Sequence, residues 1–352
     1  LKMVSDAGHP VDIDRLLVVT FTNAAAAEMR ERIGAAIGER LVREPENEHL
    51  QRQMTLLHNA QITTIDSFCL FVIRNHFHTI GLDPAFRIAD EGELKLLKND
   101  VLGEVLESCY QEGEGAFLNC MEYFSTDSRD SAVEEAVLKL YEFAMSHPFP
   151  EKWLSDRKED YDVPEAAKDL TALSWMQGLL KETGLLLQGA ACRMTRCIAL
   201  CEEADGPYMY GELLEKEKEQ IERLIAAQTY EARYTAFTAL SFGRLPSKKD
   251  ETVSPIKREL VKNTRAGIKE QLREMQKDYF AQSAEEIMEQ MHSCREAVCA
   301  LIDVTLRFKK AFEQVKREKN ILDFDDIEHL ALSILLRETQ DGGTQPTETA
   351  QE

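Results

Sequence analysis

A short apolar run that passes directly into an alanine-rich helix, in residues 16–33, limits this chain to few folds. Leu16–Val19 form a continuous aliphatic run, which is typical of a strand buried on both faces of a parallel sheet. After Thr-Phe-Thr-Asn, the residues Ala24–Arg30 are strong helix formers. Because Thr and Asn side chains accept hydrogen bonds from the free N–H groups of a helix, Thr22 or Asn23 is the predicted N-cap. The sequence therefore predicts a strand-to-helix unit of an α/β fold.

This junction is also the candidate for binding. Ligands gather at the carboxyl ends of parallel strands, and a helix N-terminus offers free N–H groups to phosphate. An exposed Phe21 there could stack on a nucleic-acid base, which is worth about 1–3 kcal/mol per base. The alternative is that Phe21 belongs to the core and that Thr22 and Asn23 only cap a helix.

A second unit of the same kind begins about 45 residues later. Residues 60–67, AQITTIDS, predict a short strand that ends in hydroxyl and carboxylate side chains. The apolar run FCLFVIRNHF then continues as a helix that carries Arg74. Thr64 and Ser67 are the polar candidates at this second strand end.

Four segments in order, 12–33, 62–77, 81–93 and 318–335, carry a resemblance to a known family. They resemble the DNA-contacting motifs of UvrD-type superfamily 1 helicases, and most closely those of the A subunits of bacterial ATP-dependent helicase/nucleases, the AddA or RexA family. One departure is Asp66, where many relatives have His, and this weakens a phosphate contact by that side chain.

The resemblance implies a function in which the parent protein couples ATP hydrolysis to translocation along single-stranded DNA and processes double-strand breaks for recombinational repair. It implies single-strand contacts by six residues: Phe21, Thr22, Asn23, Thr64, Ser67 and Arg74. Expected partners are single- and double-stranded DNA and the B subunit of the helicase/nuclease. Two alternatives stay open, which are a UvrD-like helicase without a nuclease domain and a module that docks the partner nuclease subunit.

The resemblance also implies a mainly α fold with a small α/β part, namely a partial RecA-like parallel motor domain that carries a large helical insertion. We expect residues 1–90 in the motor domain, 91–319 in the helical insertion, 320–340 as the return segment and 341–352 as a linker. Within the insertion, periodicity and helix-former content predict seven helical segments. They are 93–110, 131–145, 164–183, 185–203, 211–239, 254–279 and 283–319.

A motor of this class needs a Gly-Lys-Ser/Thr loop for the nucleotide phosphates and an Asp-Glu pair for Mg²⁺. The sequence has no Gly-Lys-Ser or Gly-Lys-Thr, and we identify no Asp-Glu pair of this kind. The chain is therefore expected to be an internal piece that lies between these two motifs. ATP and Mg²⁺ are expected for the parent protein, whereas this piece is expected to bind no cofactor and to lack ATP hydrolysis.

The net charge of −21 opposes nucleic-acid binding at long range, but the charge is unevenly distributed. Residues 244–277 contain ten basic and five acidic residues, a local balance of +5. Four of the basic residues recur at steps of three and four and predict one helix stripe: Lys262, Arg265, Lys269 and Arg273. The stripe is a candidate contact for the duplex backbone, and the alternative is a solvated helix face.

The acidic cluster near residue 325 and the cysteines are interpreted as structural. Asp323, Asp325 and Asp326 suit the N-terminus of a helix, with Asp323 or Asp325 as the cap, better than a metal site. Among the eight cysteines, Cys192, Cys197 and Cys201 fall within one predicted helix and are interpreted as buried thiols. The lack of a CxxC pair suggests reduced thiols in a cytoplasmic protein. The sequence contains no run of about 18 apolar residues, so no membrane span is predicted.

Overall fold

The computed structural model describes residues 4, 9–125, 131–163, 170–248, 250–339 and 343–351, and these are mostly helical. The α-helices in this part of the chain are α1 (Asn23–Arg43), α2 (Glu48–Leu56), α3 (Ile65–His76), α4 (Glu91–Glu112), α5 (Gly115–Phe124), α6 (Ser131–Met145), α7 (Pro150–Glu159), α8 (Ser174–Glu202), α9 (Gly211–Ala226), α10 (Tyr230–Thr238), α11 (Pro255–Tyr279), α12 (Ala284–Glu318), α13 (Phe324–Leu335) and α14 (Glu348–Gln351). The strands are β1 (Val18–Thr20), β2 (Ile62–Thr64), β3 (Arg87–Ile88), β4 (Ile321–Leu322), β5 (Leu336–Glu338) and β6 (Thr344–Pro346).

The two predicted strand-to-helix units are confirmed, and their strands are neighbours. β1 pairs with β2 in parallel, with Val18 opposite Ile62 and Thr20 opposite Thr64. Helix α1 leaves β1 and contacts both strands. The apolar side chains beneath it form a small core that includes Ile13, Leu57 and Ile62.

The prediction that the first strand is buried on both faces is wrong. Val19 is 42% exposed and Leu17 is 49% exposed, whereas Val18 packs against the small core. Side chains alternate along a strand, and among the described residues β2 is the strand that pairs with β1. One face of β1 is therefore covered by the core and the other face is open.

The segment around residue 321 returns to the region of the early motifs. β4 pairs in parallel with β3, with Arg87 opposite Ile321 and Ile88 opposite Leu322. Helix α13 then packs against α3 in a shared core that contains Ile73 and Ile327.

The chain divides into two compact units. Unit 1 comprises residues 1–112, 134–151 and 304–352, and unit 2 comprises residues 113–133 and 152–303. The predicted domain limits stay a prediction, and these units follow different limits because parts of 91–319 belong to unit 1. Within 341–352, predicted as a linker, β6 pairs antiparallel with β5 and α14 follows.

The helices of unit 2 differ from the prediction at several places, and α5 and α7 are not among the predicted segments. The segments predicted at 164–183 and 185–203 are joined in one helix, α8, while residues 164–169 lie outside the described part. The segment predicted at 211–239 is divided, because Thr229 caps the new helix α10 by accepting a hydrogen bond from the N–H of Ala232 at 3.2 Å. The main core of unit 2 lies among α8, α9 and α11.

None of the helices in the described ranges combines the length and the apolar character that a membrane crossing requires.

Candidate nucleic-acid interface

The ends of β1 and β2 bring the predicted polar residues to one edge of the sheet. Thr20 and Thr64 are register partners, so Phe21–Asn23 and Ile65–Ser67 emerge side by side. The hydroxyl of Thr22 accepts a hydrogen bond from the N–H of Ala25 at 3.2 Å, which makes Thr22 the N-cap of α1. This confirms one of the two caps that the sequence allowed.

Phe21 is the most exposed large apolar side chain among the described residues, at 91%. The alternative in which Phe21 belongs to the core is therefore wrong. Thr22 and Asn23 are exposed beside it, and Asn23 opens the 21-residue helix α1. An aromatic face thus lies next to the free N–H groups and the positive dipole end of a long helix.

The second strand end is built differently, because Thr64 is only 7% exposed. Its hydroxyl accepts from the N–H of Ser67 at 3.2 Å, as the cap of α3, and donates to the Ser67 hydroxyl at 2.8 Å. A direct phosphate contact by Thr64, as predicted, is not available in this arrangement. Since the Ser67 hydroxyl accepts from Thr64, its own hydrogen is left to donate outward, and Ser67 is exposed. Thr64 therefore orients Ser67.

The exposed face of α3 carries Arg74 in line with Ser67. The two lie seven residues apart, which is about two turns, and Phe71 lies between them with 48% of its surface exposed. Phe71 was missed from the sequence because it sits in an apolar run. The spacing of four and three between Ser67, Phe71 and Arg74 was the signal that could have identified it. Asp66 lies in the first turn of α3, where its negative charge stabilises the positive end of the helix dipole.

One of the four residues in the predicted basic stripe of α11 is buried in the structure and does not lie on the surface. Arg265 is 8% exposed and forms a two-pronged ion pair with Glu217 of α9, at 2.7 Å from Nε to Oε2 and 2.5 Å from Nη2 to Oε1. The same Nη2 donates to the carbonyl of Gly243 at 2.6 Å. The prediction of Arg265 as a duplex contact is therefore corrected, because its hydrogen-bonding groups face the interior of unit 2.

The other three basic residues of the stripe keep surface exposure. Lys262 and Lys269 are partly exposed, and the Lys269 ammonium lies 5.9 Å from the centre of the Phe242 ring. The side chain of Arg273 is 66% exposed, with Glu270 at 3.6 Å. These three remain candidates for contact with a polyanion.

The acidic cluster of α13 is a helix cap that is buried with a lysine. Asp323 and Asp326 exchange hydrogen bonds in a capping box, at 2.8 and 3.0 Å, as the structural interpretation predicted. The Lys316 ammonium, at 2% exposure, lies 2.7 Å from each carboxylate. Burial raises the pKa of Asp326 to about 6. For Asp323 burial raises the pKa, but the attraction of Lys316 and the hydrogen bonds from Lys316 and Asp326 together outweigh burial, so the pKa is lowered.

The remaining metal candidates also have structural surroundings. The His329 ring nitrogens lie 2.7 Å from the carbonyl of Asp325 and 3.0 Å from that of His147. Cys197 and Cys201 are buried as predicted, whereas the prediction of Cys192 as a buried thiol is wrong, because this residue is exposed on α8. Across the described ranges, no three His, Cys, Asp or Glu side chains are grouped so that they could hold a metal ion.

Comparison with known proteins gives a consistent result over almost the whole chain. Residues 5–349 match the UvrD/REP helicase N-terminal domain. The A subunit of the ATP-dependent helicase/nuclease of Lachnoclostridium phytofermentans is 43% identical over 357 aligned residues, which cover 100% of this chain and 26% of that protein. The proteins of the same name from Bacillus licheniformis and Clostridium beijerinckii are 37% and 38% identical and are covered to 28% and 27%, against 99% and 95% of this chain. The chain thus spans about a quarter of the length of these relatives. On the match to residues 5–349, the chain belongs to the UvrD/REP helicase family and corresponds to its N-terminal domain.

Proposed function

We propose that this chain supplies single-strand contacts to an ATP-dependent helicase/nuclease subunit that translocates along single-stranded DNA and processes double-strand breaks for recombinational repair. The observation that carries the proposal is Phe21, which is 91% exposed at the carboxyl end of β1 and directly precedes the cap of α1. An aromatic face exposed at a strand end, beside a helix N-terminus, is free to stack on a base while the neighbouring N–H groups meet phosphate.

In the proposed complex, one base of the strand stacks on Phe21 and the adjacent phosphates lie over the two helix N-termini. Thr22 and Asn23 contact phosphate at the start of α1, and Ser67 donates its hydroxyl at the start of α3. Arg74 extends the contact along the exposed face of α3, where Phe71 offers a second aromatic surface. Stacking is worth about 1–3 kcal/mol per base, so Phe21 is expected to dominate the short-range affinity.

We also propose that unit 1 is part of a RecA-like motor sheet and that the helical part of the chain forms an insertion into it. Two parallel strand pairs, β1 with β2 and β3 with β4, support this proposal. The residues present do not fit ATP with Mg²⁺, because the sequence has no Gly-Lys-Ser/Thr and the carboxylates of Asp323 and Asp326 are engaged by Lys316. We therefore propose that ATP and Mg²⁺ act in the parent protein and that this chain alone does not hydrolyse ATP.

The further partners in the proposal are duplex DNA and a second subunit. Lys262, Lys269 and Arg273 would face the duplex backbone. The relatives are named as A subunits, which implies a partner for them, and we extend that to this chain. If the acidic helical part serves only to dock that partner, the chain should bind neither single-stranded nor duplex DNA.

The test is the binding of a fluorescein-labelled oligothymidine to the full chain at several salt concentrations. Phe21→Ala should weaken binding by about fivefold to about 150-fold, the equivalent of about 1–3 kcal/mol. The matched control is Phe143→Ala, which removes another exposed ring, 58% exposed, that does not lie at a strand end. Binding that is equal for the two variants, or no binding of the unaltered chain at low salt, would refute the proposal.

A further inference from the structure

Arg30 interrupts the buried stripe of helix α1. The inward positions of the helix are Ala26, Ile33 and Ile37, and Arg30 falls between them at the spacing of four and three. An apolar residue is expected there, because a charge that leaves water costs free energy unless it finds partners. Arg30 is only half-buried, and its partners explain its presence.

The guanidinium of Arg30 reaches the strand of the second unit. Its Nη2 donates to the carbonyl of Ile62 at 3.0 Å and approaches the carbonyl of Ala60 at 3.4 Å. In the same stretch the carbonyl of Gln61 accepts instead from the N–H of Val18 in β1, at 2.8 Å. Because successive carbonyls of an extended chain point in opposite directions, Arg30 bonds the carbonyl of Ile62 in β2 and that of Ala60 just before it, neither of which faces β1. Across the described residues, no carboxylate lies within ion-pair distance of Arg30.

We infer that Arg30 is a positioning residue for single-strand binding, an inference that rests on the function proposed above. Arg30 belongs to the helix that begins at the Phe21–Asn23 junction, and Ile62 lies five residues before Ser67. The contact therefore ties the helix of the first binding segment to the strand of the second. It fixes the separation of Phe21 and Ser67, which must match the spacing of one base and its phosphate.

This role differs from a phosphate contact in a measurable way. A side chain that binds phosphate releases counterions, so its removal reduces the slope of log K against log salt by about one. A positioning residue lowers affinity without changing that slope. It also makes the two segments interdependent, so the effect of Ser67→Ala should shrink once Arg30 is replaced.

The experiment compares Arg30→Met with Arg32→Met in the full chain. Arg32 lies on the same helix, its side chain is 78% exposed, and its ion-pair partner among the described residues is Glu28, so it controls for the loss of one positive charge. Arg30→Met should weaken oligothymidine binding about tenfold with an unchanged salt slope, and Ser67→Ala should then have a smaller effect. Arg32→Met should leave affinity within about twofold. Equal affinities for the two variants, a slope reduced by about one, or additive effects with Ser67→Ala would overturn the inference.

Amide hydrogen exchange separates this inference from the proposed function. Exchange at residues 62–67 should be faster in Arg30→Met than in Arg32→Met, while exchange in α8 and α9 stays unchanged. If the unaltered chain binds no DNA, the proposed function fails. If exchange at residues 62–67 is equal in Arg30→Met and Arg32→Met, the role of the Arg30 contact in positioning is rejected as well. If Arg30→Met does not fold, Arg30→Lys replaces it, since lysine keeps the charge but lacks the planar guanidinium. The Arg30→Lys variant should show an unchanged slope of log K against log salt and a smaller loss of affinity than Arg30→Met. An affinity equal to that of the unaltered chain would reject the role of the guanidinium.

Discussion

Replacing Arg265 by methionine should destabilise unit 2 strongly, although Arg265 is one of many basic residues in an acidic chain. The guanidinium makes two hydrogen bonds to Glu217, at 2.5 and 2.7 Å, and a third to the carbonyl of Gly243 at 2.6 Å. Phe242 covers it, with its ring centre 5.6 Å from the Arg265 Cζ. Methionine fills most of the same volume and removes all three bonds.

The magnitude follows from what the substitution leaves behind. The Glu217 side chain is 1% exposed, and without Arg265 it keeps one donor, the N–H of Gly243 at 3.1 Å. A buried ion pair that loses one partner costs about 3–5 kcal/mol, because the other charge remains out of water. The double variant Glu217→Leu with Arg265→Met removes both charges and should recover most of this loss.

The assay is urea unfolding of the full chain followed by tryptophan fluorescence. Both tryptophans, Trp153 and Trp175, belong to unit 2, so the signal reports on the unit that contains the ion pair. Arg273→Met is the matched control on the same helix, and it should change the free energy of unfolding by less than about 0.5 kcal/mol because its side chain is 66% exposed. A loss below about 1 kcal/mol for Arg265→Met, or a double variant as unstable as the single one, would refute the reasoning.

Two further predictions concern unit 1. The pKa of Asp326 is raised to about 6 by burial, so this carboxyl holds its proton more tightly in the folded chain than in the unfolded chain, and its contribution to stability is lost as pH rises from about 4 through 6. The stability of the unaltered chain relative to Asp326→Asn should therefore decrease between pH 4.5 and 7, by about 1–3 kcal/mol in thermal or urea unfolding, and an increase would contradict this. Asn320 adopts a left-handed conformation with φ of 52°, so Asn320→Val should cost about 1–2 kcal/mol and Asn320→Gly almost nothing; equal melting temperatures for the two variants would argue against backbone strain.

The elements around the candidate site could be predicted because local chemistry decides them. Thr22 and Asp323 cap their helices through hydrogen bonds that span only three residues, so sequence alone narrowed each of these caps to two candidates. Thr64 caps α3 in the same way, although it was predicted from the sequence as a phosphate contact and not as a cap. The exposure of Phe21 could not be decided in this way, because an aromatic residue after a strand suits a core and a binding surface equally well. What decides between them is the arrangement of neighbours that lie far away in the sequence.

The burial of Arg265 could have been predicted from the spacing of the apolar residues on α11. The basic stripe of α11 was identified by steps of three and four, but Arg265 also lies at those steps from the apolar residues Val261, Ile268 and Leu272. On α9, Glu217 lies in the same manner between Leu214 and Ile221. Charges of opposite sign in the apolar stripes of two helices favour a buried pair over a phosphate contact.

Arg30 also lies within the apolar stripe of a helix, but its charge is not paired with a carboxylate among the described residues. Arg265 is neutralised by Glu217, so its field outside unit 2 is weak. Arg30 is bonded to carbonyls, so its positive charge is kept, on α1 about 10 Å from the N-terminus at 1.5 Å per residue. That distance is about one Debye length at 0.1 M salt, at which screening lowers the interaction with a phosphate over the strand ends to roughly a third. The hydrogen bonds of Arg30 to β2, rather than its charge, should therefore account for most of its effect on DNA binding at that salt concentration.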